Sequence, residues 1–282
     1  MEQAAEKTEL SPAMKKLDRF AAGIAQPVTD FLEEMGKLVA FFIQIVKTSY
    51  SRKQYWDVVQ YQLYQTGWRS VPIAVLAGVF VGGIFAIQIY ENLLDFGAVA
   101  MLGGISASIT VREVGPLMIA LLLGGRIGAF TAAELGTMNV TDQIDAMRCL
   151  ATDPVKYLVV PRFYAMIVMS WVLTIIGIVI GVLGASIVSM VILDVNPYLF
   201  FSNVASLVDL YSFISGLVKS MFFGVLISTV SCYYGFHVRG GAEEVGRNVN
   251  KTVVVLGIGL LGADYILAVL NDAIYMAFFA AK

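Results

Sequence analysis

Charge is what this sequence has little of: 14% of its 282 residues are Asp, Glu, Lys or Arg, against about 25% in an ordinary soluble domain. A soluble chain of this length needs a charged surface, and there is too little charge here to make one. Nineteen basic and 21 acidic residues nearly balance, so the basic stripe of a nucleic-acid binder is missing. One histidine, His237, and two cysteines, Cys149 and Cys232, supply neither a disulfide framework nor a HExxH or CxxC pattern for zinc or haem. Gly-x-Ser-x-Gly, a hydrolase signal, does not occur. Nor does GxxxxGK[ST]: residues 124–128 read GGRIG and lack the Lys-Ser/Thr end. If ATP drives this protein, a partner must bind it. What is plentiful is apolar, at 58%. That excludes disorder and points to an all-α integral membrane protein.

A helix needs roughly 20 apolar residues to cross the hydrocarbon core. Residues 70–90 carry no charge and residues 163–193 form a second uncharged run. Three further candidates hold isolated charges: 96–125 (Arg112, Glu113), 210–236 (Lys219) and 252–281 (Asp264, Asp272). Five crossings is the simplest count, with Gly115-Pro116 a place where the second bends or breaks. Nine basic residues precede residue 71, four lie within 126–162 and three within 239–251, whereas the alternate loops 91–95 and 194–209 hold acids and none. This bias predicts a cytoplasmic N-terminus and a C-terminus on the far side. The chain opens MEQAAEKTEL, without an apolar leader, so the first span is expected to act as its own insertion signal.

Three regions follow: a tail, 1–30; an amphipathic helix and linker, 31–66; and the membrane domain, 67–282. In the second, Phe31, Met35, Leu38, Phe42 and Val46 recur at helical spacing beside Glu33, Glu34, Lys37 and Lys47. Such a helix lies in the headgroup layer or packs on the protein's own loops. With no soluble domain to pack on, the first is favoured. The stretch 193–210, with Asn196-Pro197, reads as an outer loop or short helix.

Gly257-Ile-Gly259-Leu-Leu-Gly262 matches GxGxxG literally, but it sits inside an apolar helix, where glycines serve close packing. Gly78/Gly82 and Gly177/Gly181 share that small-residue spacing. Asn139-Val-Thr141 and Asn250-Lys-Thr252 fit the glycosylation sequon but fall on the expected cytoplasmic side. Charges inside spans carry more weight, because each is costly unless paired or wetted. Arg112-Glu113 therefore marks either a polar cavity that meets a charged headgroup or a structural pair completed by Lys219 or Asp264. Gln88 is a weaker candidate of the same kind.

The stretch 126–162 is the most informative. Thr141 is placed to cap a helix carrying Asp142 and Asp145, with Ile144 and Met147 on one side. Asp153-Pro154 then stops it and starts the next helix. A short helix held between two spans suits docking into a groove on a soluble partner; the plainer reading is a loop helix folded on the membrane face.

Arg112-Glu113-Val-Gly-Pro116, Gly125-Arg126-Ile-Gly128, Ala133-Glu134-Leu-Gly136-Thr-Met138 and Thr141-x-Gln143-Ile-Asp145-Ala146 resemble the MlaE (YrbE) family of ABC-transporter permeases. The likeness continues through Asp153-Pro154, Val160-Pro161-Arg162 and Gly240-Gly241-Ala242-x-x-Val245-Gly246-Arg247 to Asp264-Tyr265, covering roughly residues 63–278. The resemblance implies an interfacial helix, five spans and a coupling helix between spans two and three. It implies a homodimer in the inner membrane of a double-membraned bacterium, with its C-terminus periplasmic. The implied partners are an ABC ATPase subunit, which binds ATP and Mg, a periplasm-facing MCE-domain subunit and a small STAS-domain subunit. The chain itself is then no enzyme and holds no cofactor. The implied cargo is phospholipid moving between inner and outer membranes, in service of outer-membrane asymmetry. By position, Arg112 and Glu113 match the element near the lipid cavity, with Gln88, Tyr61 and Arg69 as further cavity candidates. Glu134, Gly136, Thr141, Asp142, Gln143, Asp145 and Arg247 match the region that meets the ATPase. Departures are Cys149-Leu-Ala-Thr152, where a Met-Gly-Val-like run is commoner, and Gly235-Phe-His237-Val, where Ser/Thr are usual. Tyr61 also stands where some relatives place a basic residue. The rival reading is an ion-coupled carrier with Glu113, Asp264 and Asp272 as proton sites; the odd span count and the lack of a repeat argue against it.

Overall fold

A computed structural model of the chain describes residues 12–50 and 55–278; Lys7, Arg52 and Lys53 of the basic tally lie outside these. The chain divides into two compact units, Met1–Gln44 and Ile45–Lys282. Helix α1 (Pro12–Ser49) makes up the described part of the first and enters the second. Phe31, Met35, Val39 and Ile43, four residues apart, form an exposed apolar stripe along it. Lys37 pairs with Glu33 at 2.7 Å, one turn away, and holds the Glu33 carboxyl below its usual range by hydrogen bond and charge.

The second unit is built on rods. Helix α2 (Trp56–Thr66), a tight turn at Trp68–Ser70 and α3 (Val71–Asp95) form the first. The second joins α4 (Leu102–Ile109), α5 (Gly115–Leu123) and α6 (Ala129–Val140) through wider π-helical turns at Thr110–Val114 and Gly124–Gly128. After the short α7 (Gln143–Cys149), a π-helical turn at Val155–Val159 leads into α8 (Val160–Val191). The short α9 (Pro197–Leu207), then α10 (Leu210–Phe236) and α11 (Ala242–Phe278), complete the described residues. Among the described residues five helical stretches are long and apolar enough to cross a membrane: Trp56–Asp95, Val99–Val140, Val155–Val191, Leu210–Phe236 and Ala242–Ala277. All five expected crossings are present.

The second does not break at Gly115-Pro116. A proline inside a helix lacks its N–H and clashes with the carbonyl four residues back, here that of Arg112. The chain widens the turn instead: Gly115 N–H donates to Thr110 O, five residues back. Pro161 stands in the same relation to Val155–Val159, where Val160 N–H reaches Val155 O. A π-turn absorbs the insertion without ending the rod.

Gly78/Gly82 and Gly177/Gly181 do bring two helices together. A Cβ on Gly78 would stand 2.8 Å from Gly177 O, and one on Gly82 would overlap Gly181 O, so α3 and α8 touch backbone to backbone. The glycines of the last span differ from expectation. A Cβ on Gly257 or Gly262 would meet nothing within 4 Å, and one on Gly259 only Leu226 at 3.4 Å, because this face of α11 is turned away from the chain's own bundle. The 193–210 stretch is the short helix α9, with Asn196 Oδ1 accepting from Tyr198 N at 2.9 Å as its N-cap. Phe200 is fully buried there, against Ala86 of α3 and Ala185 of α8.

Candidate functional site

Inside the spans, sequence and packing place five charges together. The π-turn at Thr110–Val114 carries Arg112 and Glu113. On α10, Gly216 lets the backbone press on Val111 O, which a Cβ would strike. Lys219 follows one turn later and is 3% exposed at its side chain; its Nζ donates to Glu113 Oε2 and, at 3.3 Å, to Asp264 Oδ1 of α11. Arg112 Nη2 reaches Asp272 Oδ1 at 3.3 Å, two turns further along α11. Two cations face three carboxylates, a formal charge of 2 − 3 = −1. Tyr211 Oη, on α10, donates to Asn271 O and Oδ1 at 3.0 and 2.7 Å and clamps the same two spans. At about 1.5 Å per residue, Glu113 lies about 21 Å from Val99 and Lys219 about 14 Å from Leu210, the middle depth of a core about 30 Å thick.

A buried ammonium at that depth is tolerable only when paired. Lys219 is paired twice. The surface of the cluster is graded: Glu113 is 40% exposed and Asp264 15%. Buried amine and accessible carboxylate thus form one unit, whose rim is open to whatever lies beside spans two and five. The three carboxylates that the carrier reading uses are each paired with a cation, Glu113 and Asp264 with Lys219 and Asp272 with Arg112.

The other cavity candidates lie elsewhere. Gln88 is exposed on α3, where its backbone carbonyl accepts from Asn92 Nδ2, and it takes no part in the ion-pair cluster. Tyr61 is exposed on α2, its hydroxyl accepting from Gln65 Nε2 at 2.7 Å. Arg69 is exposed in the turn between α2 and α3. Sequence reasoning missed Asp272 as the partner of Arg112, because charges 160 residues apart leave no local periodic signal.

At the α6–α7 end, Asp142, Gln143 and Asp145 are exposed with Leu150, and Asp145 pairs with Arg148 at 2.7 Å. Only Ile144 is buried. Thr141 does not cap α7. Its hydroxyl donates back to Thr137 O at 2.8 Å and accepts from Gln143 Nε2 at 3.0 Å, while Asp142, at φ 58°, occupies the entry position without a side-chain bond. A threonine at a helix end that finds its own i−4 carbonyl is spent on the helix it closes. Asp153 does cap as expected, accepting from Val155 N at 3.0 Å.

Two of the coupling candidates lie inward. Gly136 is buried, and a Cβ there would stand 3.0 Å from Val238. Glu134 binds Arg162 Nη2 at 2.6 Å, with the arginine side chain 4% exposed. Asn139 Nδ2 donates to Phe236 O and Val238 O at 3.3 and 2.6 Å. The end of α6 is therefore bonded to α8 and to the end of α10. Arg247 is exposed and paired with Glu243 and Glu244 at 2.7 and 2.8 Å.

An all-helical, multi-pass membrane protein, with charges paired at mid-depth and a short exposed helix joining its second and third spans, has the build of a transporter permease. The family model of permease MlaE matches residues 59–270. The chain is 35% identical to the probable ABC transporter permease protein of Rickettsia typhi over 237 residues, 84% of this chain and 92% of that one. It is 31% identical to the intermembrane phospholipid transport system permease protein MlaE of Haemophilus influenzae over 250 residues, 88% of this chain and 95% of that one. It is also 31% identical to the chloroplastic protein trigalactosyldiacylglycerol 1 of Arabidopsis thaliana over 225 residues, 80% and 64% of the two chains. The chain belongs to the MlaE permease family. It is the permease subunit of an ABC transporter and not itself an ATPase, so it works with a separate ATPase subunit.

Proposed function

We propose that this chain is the permease of an ATP-driven lipid transporter in a bacterial inner membrane, moving phospholipid between inner and outer membranes and so keeping the outer membrane asymmetric. The observation that carries the reading is the Glu113–Lys219–Asp264 cluster at mid-depth, borne on rods that run to the exposed α7 face. The Haemophilus relative, named for intermembrane phospholipid transport, supports the cargo. The basic bias of the alternate loops supports a cytoplasmic N-terminus and a periplasmic C-terminus. The proposed assembly is a homodimer with an ABC ATPase, a periplasm-facing MCE-domain subunit and a STAS-domain subunit. ATP and Mg belong to the ATPase; this chain holds no cofactor.

The mechanism is mechanical. A push on Asp142, Gln143 and Asp145 by the ATPase, with Arg247 as a second contact, displaces α7 and with it α6. Helix α6 is continuous with the rod that carries Glu113. It is bonded through Glu134 to Arg162 of span three, and through Asn139 to the end of α10, the helix that carries Lys219. One movement therefore shifts both sides of the mid-depth ion pair and reshapes the apolar chamber beside it. Acyl chains take the apolar wall, and the partly exposed Arg112 and Glu113 border a wetter zone for the headgroup.

The test is co-reconstitution of the chain with its ATPase in vesicles. ATP-dependent transfer of a fluorescent phospholipid, abolished by reversing Asp145 to Lys, is the expected result. Transfer by the permease alone, driven by a proton gradient, overturns it.

A further inference from the structure

A second polar site lies about 21 Å along span two from Arg112, 14 residues at about 1.5 Å each. There α2, the Trp68–Ser70 turn and the π-turn at Gly124–Gly128 enclose a cavity of about 200 Å³, many times the roughly 15 Å³ that one water needs on the same measure. Its lining includes Arg69 and Arg126, the amides of Gln62 and Gln65, and Thr131, with Phe130 at its edge; no Asp or Glu lines it. Arg126 is held in position, its Nη1 donating to Arg69 O and, at 2.7 Å, to Ser70 Oγ. Gln62 is 7% exposed and Thr131 3%, so the amide and hydroxyl are built into the wall and are not surface decoration. Two guanidiniums with neutral donors and no carboxylate make an anion site, and the guanidinium fork matches the oxygens of a phosphate.

Depth identifies the source of that phosphate. Arg69 stands 26 residues from Asp95 at the far end of its rod, and Arg126 stands 27 from Val99, so both lie about 40 Å from the opposite ends. That is the bilayer with its headgroup layers, about 40–45 Å. Tyr64, Trp68 and Phe130 are exposed at the same level, as the aromatic belt of an interface requires. We infer that this cavity binds the phosphodiester of a phospholipid headgroup, at the leaflet surface on the α7 side of the membrane, as a station distinct from the mid-depth cluster. The inference rests on the lipid-transport reading and adds to it a residue pair, Arg69 and Arg126, and a place where cargo is held by its phosphate.

Full-length chain in detergent is titrated with dioctanoyl phosphatidylglycerol, with dioctanoylglycerol and with inorganic phosphate, following its tryptophan fluorescence, to which Trp68, next in the chain to the cavity-lining Arg69, contributes. The expected result is phosphatidylglycerol binding about tenfold tighter than dioctanoylglycerol. Arg69→Gln abolishes that advantage, Arg69→Lys retains part of it, and inorganic phosphate fails to displace the lipid. Arg69 is exposed, so its variants test binding without threatening the fold. Equal phospholipid affinity in wild type and Arg69→Gln overturns the site; displacement by inorganic phosphate overturns the headgroup and assigns a free anion. The vesicle transfer assay separates the two readings. Transfer by wild type with no effect of Arg69→Gln on binding removes this inference alone. No transfer by wild type, with the Arg69-dependent preference intact, removes the transport reading and leaves the anion site standing.

Discussion

Replacing Lys219 with Met keeps the length of the side chain and its apolar stem and deletes only the charge. Glu113 and Asp264 then face each other without the amine that now lies against both. Removing one partner of a buried pair costs about 3–5 kcal/mol; the 40% exposure of Glu113 screens part of this, so about 3 kcal/mol is the working figure. At roughly 2–4 °C per kcal/mol for a chain of this order of size, the melting temperature in detergent falls by about 6–12 °C. Glu113→Gln behaves differently, because Lys219 keeps Asp264 at 3.3 Å and the pair left behind is neutral; its loss is about 1 kcal/mol. In Lys219→Met/Glu113→Gln the repulsion is gone, so the double variant is more stable than Lys219→Met alone. The assay is the full double-mutant cycle by thermal unfolding. The reasoning fails if Lys219→Met melts within about 2 °C of wild type, or if Glu113→Gln is as damaging as Lys219→Met.

Three further outcomes follow from the geometry. Gly82→Val drives a branched side chain into Gly181 O and yields no monodisperse protein on size-exclusion chromatography, whereas Gly246→Ala, with open space around it, raises helix stability by up to about 1 kcal/mol in a thermal melt. Glu134→Ala strands the buried Arg162 guanidinium and costs about 3 kcal/mol by the same melt; Glu134→Gln, which keeps an acceptor, costs less than half of that. Asp145→Lys breaks an exposed pair worth under about 1 kcal/mol, so the melt hardly moves, while co-purification of the ATPase subunit is lost.

The five crossings were legible because apolar run length reports membrane depth directly. What it does not report is helicity outside the membrane. Residues 126–140, read as part of a cytoplasmic stretch, continue the second rod as α6, since Ala129, Ala132, Ala133, Glu134 and Leu135 favour helix whether or not lipid surrounds them. The bend or break at Gly115-Pro116 was read from proline's local clash, and the chain takes up that clash in a π-turn without breaking. The last-span glycines read as packing residues because spacing alone cannot say which face of a helix meets a neighbour.

The site was half legible for the same reason. Arg112-Glu113 stood out because charge in a span is expensive wherever it points, and the need for a partner could be argued from cost alone. The two partners the sequence offered, Lys219 and Asp264, both stand in the cluster. What it could not offer was Asp272 as the partner of Arg112, nor the contact itself, since Lys219 reaches Glu113 because Gly216 permits the backbone approach one turn before it. A small residue that brings two helices together and a charge one turn later act as one device: remove the close approach and the amine no longer spans the gap. Gly216→Leu should therefore reproduce the instability of Lys219→Met while leaving every charge in place. Combining the two should cost little more than either alone, because the first has already separated the pair that the second deletes. Additive losses in that double variant would show that the helix contact and the ion pair stabilise the fold independently.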